Sequence, residues 1–497
     1  MGIVIRQGLK ASIITYIGAF LGYLVWLRFY PLWLNPEEVG LLRALFDAVI
    51  LISPFLQGGV ASLVVKFSPY LSTRIENERR FLGFALVVPL VLTAIGILIF
   101  AVFKEGIFAA YNDKSPLFAQ FIWYIVPLAF FSVYIQLVEA LIRIKLRIVV
   151  PKLIRELLVR GLNLLVVWIY FIGIFGLREL VLSLIVINIL HLILLAFYYI
   201  KLRGTFIKPN LGIVKTRFLK PLLDYTGFMI LGSGSGSLVA KIDSLMTAYL
   251  LGLTETGVYG IAFLIATVIE LPRRVFNSLI TPLVAKAYKH KNYQLLQAYY
   301  HRSSLNLSII SVTLFLGIWS NLDLVYNFVP DREVYEAGKW VVFFIGIGKV
   351  FDMSMGINAE LIQNSRYYRW NLYLTPVLAV LAVCTNLIFI PKYGISGAAL
   401  ATLISVTLYN LVRFYMVKRA MKISPFKASN GWVGLLALLA FGITQYVVIT
   451  NVYVDFLFNG AIILALFLLP IWFFRLSPDF NSFVKNLAAR IGLQLNR

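Results

Sequence analysis

The sequence predicts an all-α polytopic membrane protein with about fourteen transmembrane helices. Three observations carry this. Hydrophobic residues make up 60% of the 497 positions, and charged residues only 13%, against about 25% in a soluble domain. Apolar runs near the roughly 20 residues that cross a bilayer recur from one end to the other. No stretch has the composition of a separate soluble domain.

In chain order the expected spans are 9–29, 40–64, 81–103, 118–140, 153–175, 179–200 and 225–251. They continue as 257–284, 303–320, 340–362, 371–390, 396–416, 431–450 and 456–474. In the first, the apolar run Ala11 to Leu27 follows Arg6 and Lys10 and looks at first like a signal peptide, but no small-residue cleavage site follows it, so it is read as a retained helix. Span 7 opens on the ladder ILGSGSGSLVAKIDSLM, Ile230 to Met246. In a membrane such small residues let backbones approach closely, or loosen a helix beside a cavity. A phosphate-cradling loop is disfavoured, since the ladder lacks the Gly-Lys-Ser/Thr ending. Pro272, in the sequence ELPRRVF, removes a backbone hydrogen bond and kinks span 8.

Loop charge sets the orientation. With both termini in the cytoplasm, most of the 45 Lys and Arg fall on the cytoplasmic side, as the positive-inside rule requires. The net charge of +23 is therefore an orientation signal and not a nucleic-acid footprint. Basic loops lie at 66–80, 201–220 and 286–302, and the last two can also meet anionic lipid heads. The single cysteine, Cys384, forms no intramolecular disulfide, and three histidines make a Cys/His metal site a poor reading.

The chain also looks duplicated. NPEEVGLLRAL, Asn35 to Leu45, enters span 2, and LTETGVYGIAF, Leu253 to Phe263, enters span 8. Parallel six-helix repeats are a transporter plan. The expected organisation is an N-terminal lobe over 1–220, a C-terminal lobe over 221–427, and two extra helices with a cytoplasmic tail over 428–497. The two lobes would surround a central cavity.

Ionisable groups inside a bilayer face a cavity or a partner. Acidic and basic residues within the spans are roughly balanced, which argues against a strongly acidic pocket for drug cations. Spacing sorts them. Arg43/Asp47 and Glu156/Arg160 lie four apart, and Glu270/Arg273 and Lys349/Asp352 three apart, so each pair can share a helix face. Lys241 and Asp243 lie two apart, about 200° around a helix. Each therefore needs a partner on another helix, water or a ligand. Arg273 and Arg274 beside the kink would suit an anion-binding wall, because guanidinium groups grip phosphate bidentately.

The stretch AKIDSLMTAYLLGLTETGVYGIAF, Ala240 to Phe263, resembles a signature of the Wzx-type polysaccharide flippase family, the O-antigen and exopolysaccharide transporters of the multidrug/oligosaccharidyl-lipid/polysaccharide exporter superfamily. Asp243, Gly252, Glu255, Gly257, Tyr259 and Ala262 carry the match, and PKYGISGAALAT, Pro391 to Thr402, resembles the family's turn between spans 11 and 12. The resemblance implies alternating access in the bacterial cytoplasmic (inner) membrane, with a polyprenyl-pyrophosphate-linked oligosaccharide carried from the cytoplasmic to the periplasmic leaflet. It implies no bound cofactor, a proton or sodium gradient as driving force, and a polysaccharide polymerase complex as partner. On charge and depth, Lys241, Arg273, Arg274 and Arg43 are the candidate substrate-binding residues. Asp243, Asp47, Glu270 and Asp352 are the candidates for ion coupling. No catalytic residue, metal or nucleic-acid partner is expected. The rival readings are a multidrug/cation antiporter of the same superfamily, a lipid II flippase, and a membrane-embedded glycosyltransferase or polymerase. The last is disfavoured because the longest outer loop, about 321–339, is short.

Overall fold

The computed structural model describes residues 2–71, 75–203, 210, 216–367, 369–446 and 449–490. Much of the expected basic loop at 201–220, part of that at 66–80 and the end of the tail lie outside the described residues. All regular structure among the described residues is helical. The longer helices, in chain order, are α1 (Gly2–Leu24), α2 (Pro36–Gln57), α3 (Val60–Leu71), α4 (Ile75–Asn112), α5 (Ile125–Ile144), α6 (Arg160–Phe171), α7 (Leu177–Arg203) and α8 (Thr216–Leu250). They continue as α9 (Leu253–Thr267), α10 (Leu271–Lys289), α11 (Tyr293–Trp319), α12 (Lys339–Ser354), α13 (Arg369–Met421), α14 (Ala428–Tyr446), α15 (Val452–Ile462) and α16 (Pro478–Arg490).

Each expected span overlaps helix among the described residues, with turns at 58–59 inside the second span and at 355–357 inside the tenth. Nine helical stretches among the described residues are long and apolar enough to cross a membrane. Their outer surfaces keep large apolar side chains exposed, such as Phe20, Leu98, Val102 and Leu457. That is the surface a lipid-facing helix presents. The expected turn between spans 11 and 12 is a break inside α13, where Gly394 leaves the helical region at φ 58°, ψ −140°. Pro272 lies in the first turn of α10, directly after a 3₁₀ turn at Val268–Glu270. The expected interruption of span 8 is therefore real, and its form is a tightened turn.

The chain divides into two compact units, Met1–Gly260 and Ile261–Arg497. In the first, α2 begins with a capping box. Glu38 N–H donates to Asn35 Oδ1 at 2.8 Å, and Asn35 N–H donates to Glu38 Oε2 at 3.0 Å. These bonds satisfy helix-end donors that otherwise lack partners. The helix ends at Gly58 in the left-handed conformation, φ 58°, and α3 continues after the bend. A core of Val60, Leu63, Val64, Phe81, Leu137 and neighbours joins α3, α4 and α5. In the second unit Ile280, Val284, Leu296, Tyr300, Leu361 and Val417 form the corresponding core under α10, α11 and α13.

Helix α8 packs antiparallel on α2. A Cβ added to Gly59 would overlap Met229, one added to Gly234 would meet the Phe55 ring at 2.6 Å, and Asp47 faces Lys241. The Gly/Ser ladder is thus continuous helix, with Gly234 making room for Phe55. Of the two roles the ladder offered, close approach of packed helices is the one the structure shows at Gly234.

The entry segments of the proposed duplication meet each other. A Cβ on Gly40 would overlap the Leu253 carbonyl, and one on Gly257 would overlap the Pro36 carbonyl. Gly40 and Gly257 occupy equivalent places in the two similar motifs, as do Pro36 and Leu253. The contact is reciprocal, as a local twofold relation between two like segments requires.

Candidate functional site

Within the first unit the buried charges gather on Asp47, whose side chain is 2% exposed. Arg43, one turn earlier on α2, places Nε 2.7 Å from Asp47 Oδ2. Lys241 on α8 places Nζ 2.6 Å from Oδ1. One carboxylate thus holds two cations from two helices. The Arg43 contact is close but poorly aligned as a hydrogen bond, so its attraction is mainly that of the charges. The guanidinium also lies 6.0 Å from the centre of the Trp26 ring, and its aliphatic stem runs along Gly260, where a Cβ would come within 3.2 Å.

Asp243 sits on a different face of α8. It is buried and accepts a hydrogen bond from Tyr259 Oη at 3.1 Å. The geometry agrees with the spacing argument: Lys241 and Asp243 take partners on separate helices. Tyr259 is itself fully buried, and its hydroxyl links the two halves of the Ala240–Phe263 motif.

The second unit holds a ladder of opposite charges. Glu270 accepts an ion pair from Lys349, and Asp352 accepts one from Arg273. These cross-helix pairs replace the within-helix pairs expected from three-residue spacing. The reason is geometric. Both pairs have the same sequence offset, so the two helical segments run parallel, and each step of three residues presents the complementary charge to the neighbour. Asp352 also accepts from Asn410 Nδ2 at 2.8 Å, and Asn410 Oδ1 accepts from Asn358 Nδ2 at 3.0 Å. Glu360, 7% exposed, leaves Oε2 without a hydrogen bond among the described residues.

Arg273 is buried in this ladder, whereas Arg274 is exposed and turns away from it. Adjacent helical residues point about 100° apart, so the structure does not bring the two guanidinium groups onto one wall. Glu156 and Arg160 do pair within their helix, at 2.7 Å. The amides Asn358 and Asn410 belong to the second cluster although their sequence surroundings are ordinary. Each is a polar residue inside an apolar run, and that is the sequence signal that could have pointed to them. Among the described residues no group of His, Cys, Asp and Glu has the arrangement of a metal site.

No family model matches the chain. An uncharacterized membrane protein of Methanocaldococcus jannaschii is 26% identical over 268 residues, which are 51% of this chain. The chain spans 60% of the length of that curated relative. Among solved structures, the lipid II flippase MurJ in an inward closed conformation aligns with 96% of this chain and 99% of its own, at a TM-score of 0.73 and 14% identity. An inward-facing multidrug resistance MATE family transporter of the MOP superfamily aligns with 83% of this chain and 98% of its own, at a TM-score of 0.63 and 17% identity. A MOP superfamily transporter from Pyrococcus furiosus, described as having a binding pocket of reversed polarity, aligns with 84% and 95%, at a TM-score of 0.52 and 16% identity. The chain therefore has the fold of the MurJ and MATE structures. The solved proteins that share this fold are described as a flippase and as transporters.

Proposed function

We propose that the chain moves a polyprenyl-pyrophosphate-linked saccharide between membrane leaflets by alternating access. The observation that carries this reading is Asp47, buried and held between Arg43 and Lys241. The shared acid keeps both basic side chains in place, where a pyrophosphate can draw on their charge. The end-to-end likeness to a lipid II flippase supports a lipid-linked substrate. It favours a lipid II type of head group over the O-antigen or exopolysaccharide unit first expected.

In this reading Arg43, Lys241 and Arg273 attract the substrate, and Arg274 serves the membrane surface. Asp47, Asp243, Glu270 and Asp352 couple the cycle to a proton or sodium gradient by exchanging partners as the lobes at 1–220 and 221–427 move. The protein sits in the cytoplasmic membrane with both termini inside, and hands its cargo to a polymerase complex.

A multidrug/cation antiporter is the second reading, and the likeness to MATE structures favours it. The pairing counts against an organic-cation cargo: Asp47, Glu270 and Asp352 are each already engaged by a base. The test is reconstitution in liposomes with a short-chain polyprenyl-pyrophosphate saccharide on one leaflet. Transfer to the other leaflet, abolished by Lys241→Ala with Arg43→Ala, supports the flippase. Cation-driven efflux of organic cations without saccharide transfer supports the antiporter.

A further inference from the structure

A polar cavity lies in the first unit, apart from the Asp47 cluster. It has a volume of about 600 Å³, within the roughly 300–1,000 Å³ of small-molecule sites. Along α2, Gln57 on its wall is ten residues from Asp47, about 15 Å at 1.5 Å per residue. Along α8, Tyr225 on its wall is sixteen residues from Lys241, about 24 Å by the same rise. Both displacements run toward the helix ends that loop charge places in the cytoplasm.

The lining is chemically specific. Lys66 and Arg143 face the cavity, and neither has an ion-pair partner among the described residues. Lys66 Nζ rests 4.2 Å from the centre of the Tyr225 ring. Arg155, by contrast, is held by Glu139 at 3.2 Å and Glu156 at 3.4 Å. Glu139 is buried at 9% exposure, and its Oε1 has no hydrogen-bond donor among the described residues. Gln57 and Gln136 add side-chain amides, which contact each other at 3.3 Å.

Two cations without an ion-pair contact among the described residues suit an anion. A carboxylate oxygen without a donor would instead repel one, and is satisfied by a hydroxyl. Amides serve hydroxyls too, and a tyrosine ring offers a flat apolar face to a sugar. One ligand meets all of these demands: a phosphate joined to a saccharide. We propose that this cavity binds the phosphorylated saccharide head of a polyprenyl lipid at the cytoplasmic end of the first unit, before it reaches the Asp47 cluster. Lys66 and Arg143 take the pyrophosphate, and Glu139 and the two glutamines take sugar hydroxyls. The proposal rests on the flippase reading and adds a first binding station to it.

The test uses the full chain in phosphatidylcholine nanodiscs. The probes are farnesyl-pyrophosphate-linked N-acetylglucosamine and farnesyl pyrophosphate alone. Lys66→Ala with Arg143→Ala is expected to weaken both about tenfold or more, the scale of losing a charged hydrogen bond. Lys66→Arg with Arg143→Lys, a folding control, is expected to restore most of the binding. Glu139→Gln is expected to weaken the saccharide probe several-fold and leave farnesyl pyrophosphate unchanged. Unchanged binding in the alanine variant, or an equal effect of Glu139→Gln on both probes, would overturn the assignment. So would displacement of the probe at equal concentration by phosphatidylglycerol or by a uridine diphosphate sugar, which would identify a bulk lipid or a soluble nucleotide sugar as the occupant. Intact binding with no leaflet transfer counts against the flippase function alone. Intact transfer with binding unmoved by the variants counts against the cavity alone.

Discussion

Replacing Asp47 with Asn removes the one carboxylate that Arg43 and Lys241 share. The contacts are 2.7 and 2.6 Å. With an effective dielectric constant of about 20, each has a gross attraction of about 6 kcal/mol. Desolvation of the three charges offsets most of it. Measured losses on removing one partner of a buried pair are about 3–5 kcal/mol. Lys241 keeps 19% of its side-chain surface exposed, against 11% for Arg43, so water relieves part of the stranded charge. We therefore expect the lower end, about 3 kcal/mol. Lys241→Met costs less, since Asp47 keeps Arg43. In Asp47→Asn with Lys241→Met the lysine is no longer left against a missing acid, so the two losses do not add, and the coupling is about 1–3 kcal/mol. The assay is reversible unfolding of the full chain in mixed micelles, run as a double-mutant cycle. Additive losses would refute the shared-carboxylate account.

Three further predictions follow from other contacts. Gly40→Ala and Gly257→Ala each push a methyl into the facing carbonyl. Each is expected to destabilise by about 1–3 kcal/mol, read by the same unfolding assay, while Gly236→Ala, where the added Cβ meets nothing within 4 Å, is expected to be neutral or mildly stabilising. In the second unit Glu270→Lys sets two cations against each other, so membrane yield should fall, and Glu270→Lys with Lys349→Glu should recover it; no recovery would count against the cross-helix pairing. Arg273→Ala strands Asp352 and is expected to cost about 3 kcal/mol or more, whereas Arg274→Ala, at an exposed position, is expected to stay within about 0.5 kcal/mol, as thermal-shift measurements on the two variants would show.

Much of the fold was legible because each crossing needs a long apolar run, and such runs are counted from sequence alone. The break at Gly394 and the tightened turn before Pro272 were marked by Pro and Gly, whose backbone preferences are local. The Arg43/Asp47 pair was legible for the same reason, since i,i+4 spacing on one helix fixes it. What depended on the neighbouring helix was not. Three-residue spacing allowed Glu270 to pair with Arg273, but parallel packing of the two segments offered each a better partner across the interface. The separation of Lys241 from Asp243 showed that each needed a partner elsewhere, and could not name Asp47 or Tyr259. The cavity around Lys66 and Glu139 draws on four separated stretches of chain, and only the fold brings them together.

The central claim is movement of a lipid-linked saccharide, and leaflet transfer tests it most directly. Purified protein is reconstituted with a fluorescent short-chain polyprenyl-pyrophosphate saccharide, and a membrane-impermeant quencher reports the fraction left on the outer leaflet. The account predicts transfer faster than in protein-free liposomes, lost in the Arg43→Ala with Lys241→Ala variant. Transfer no faster than in protein-free liposomes, under an imposed proton or sodium gradient of either sign, would contradict it.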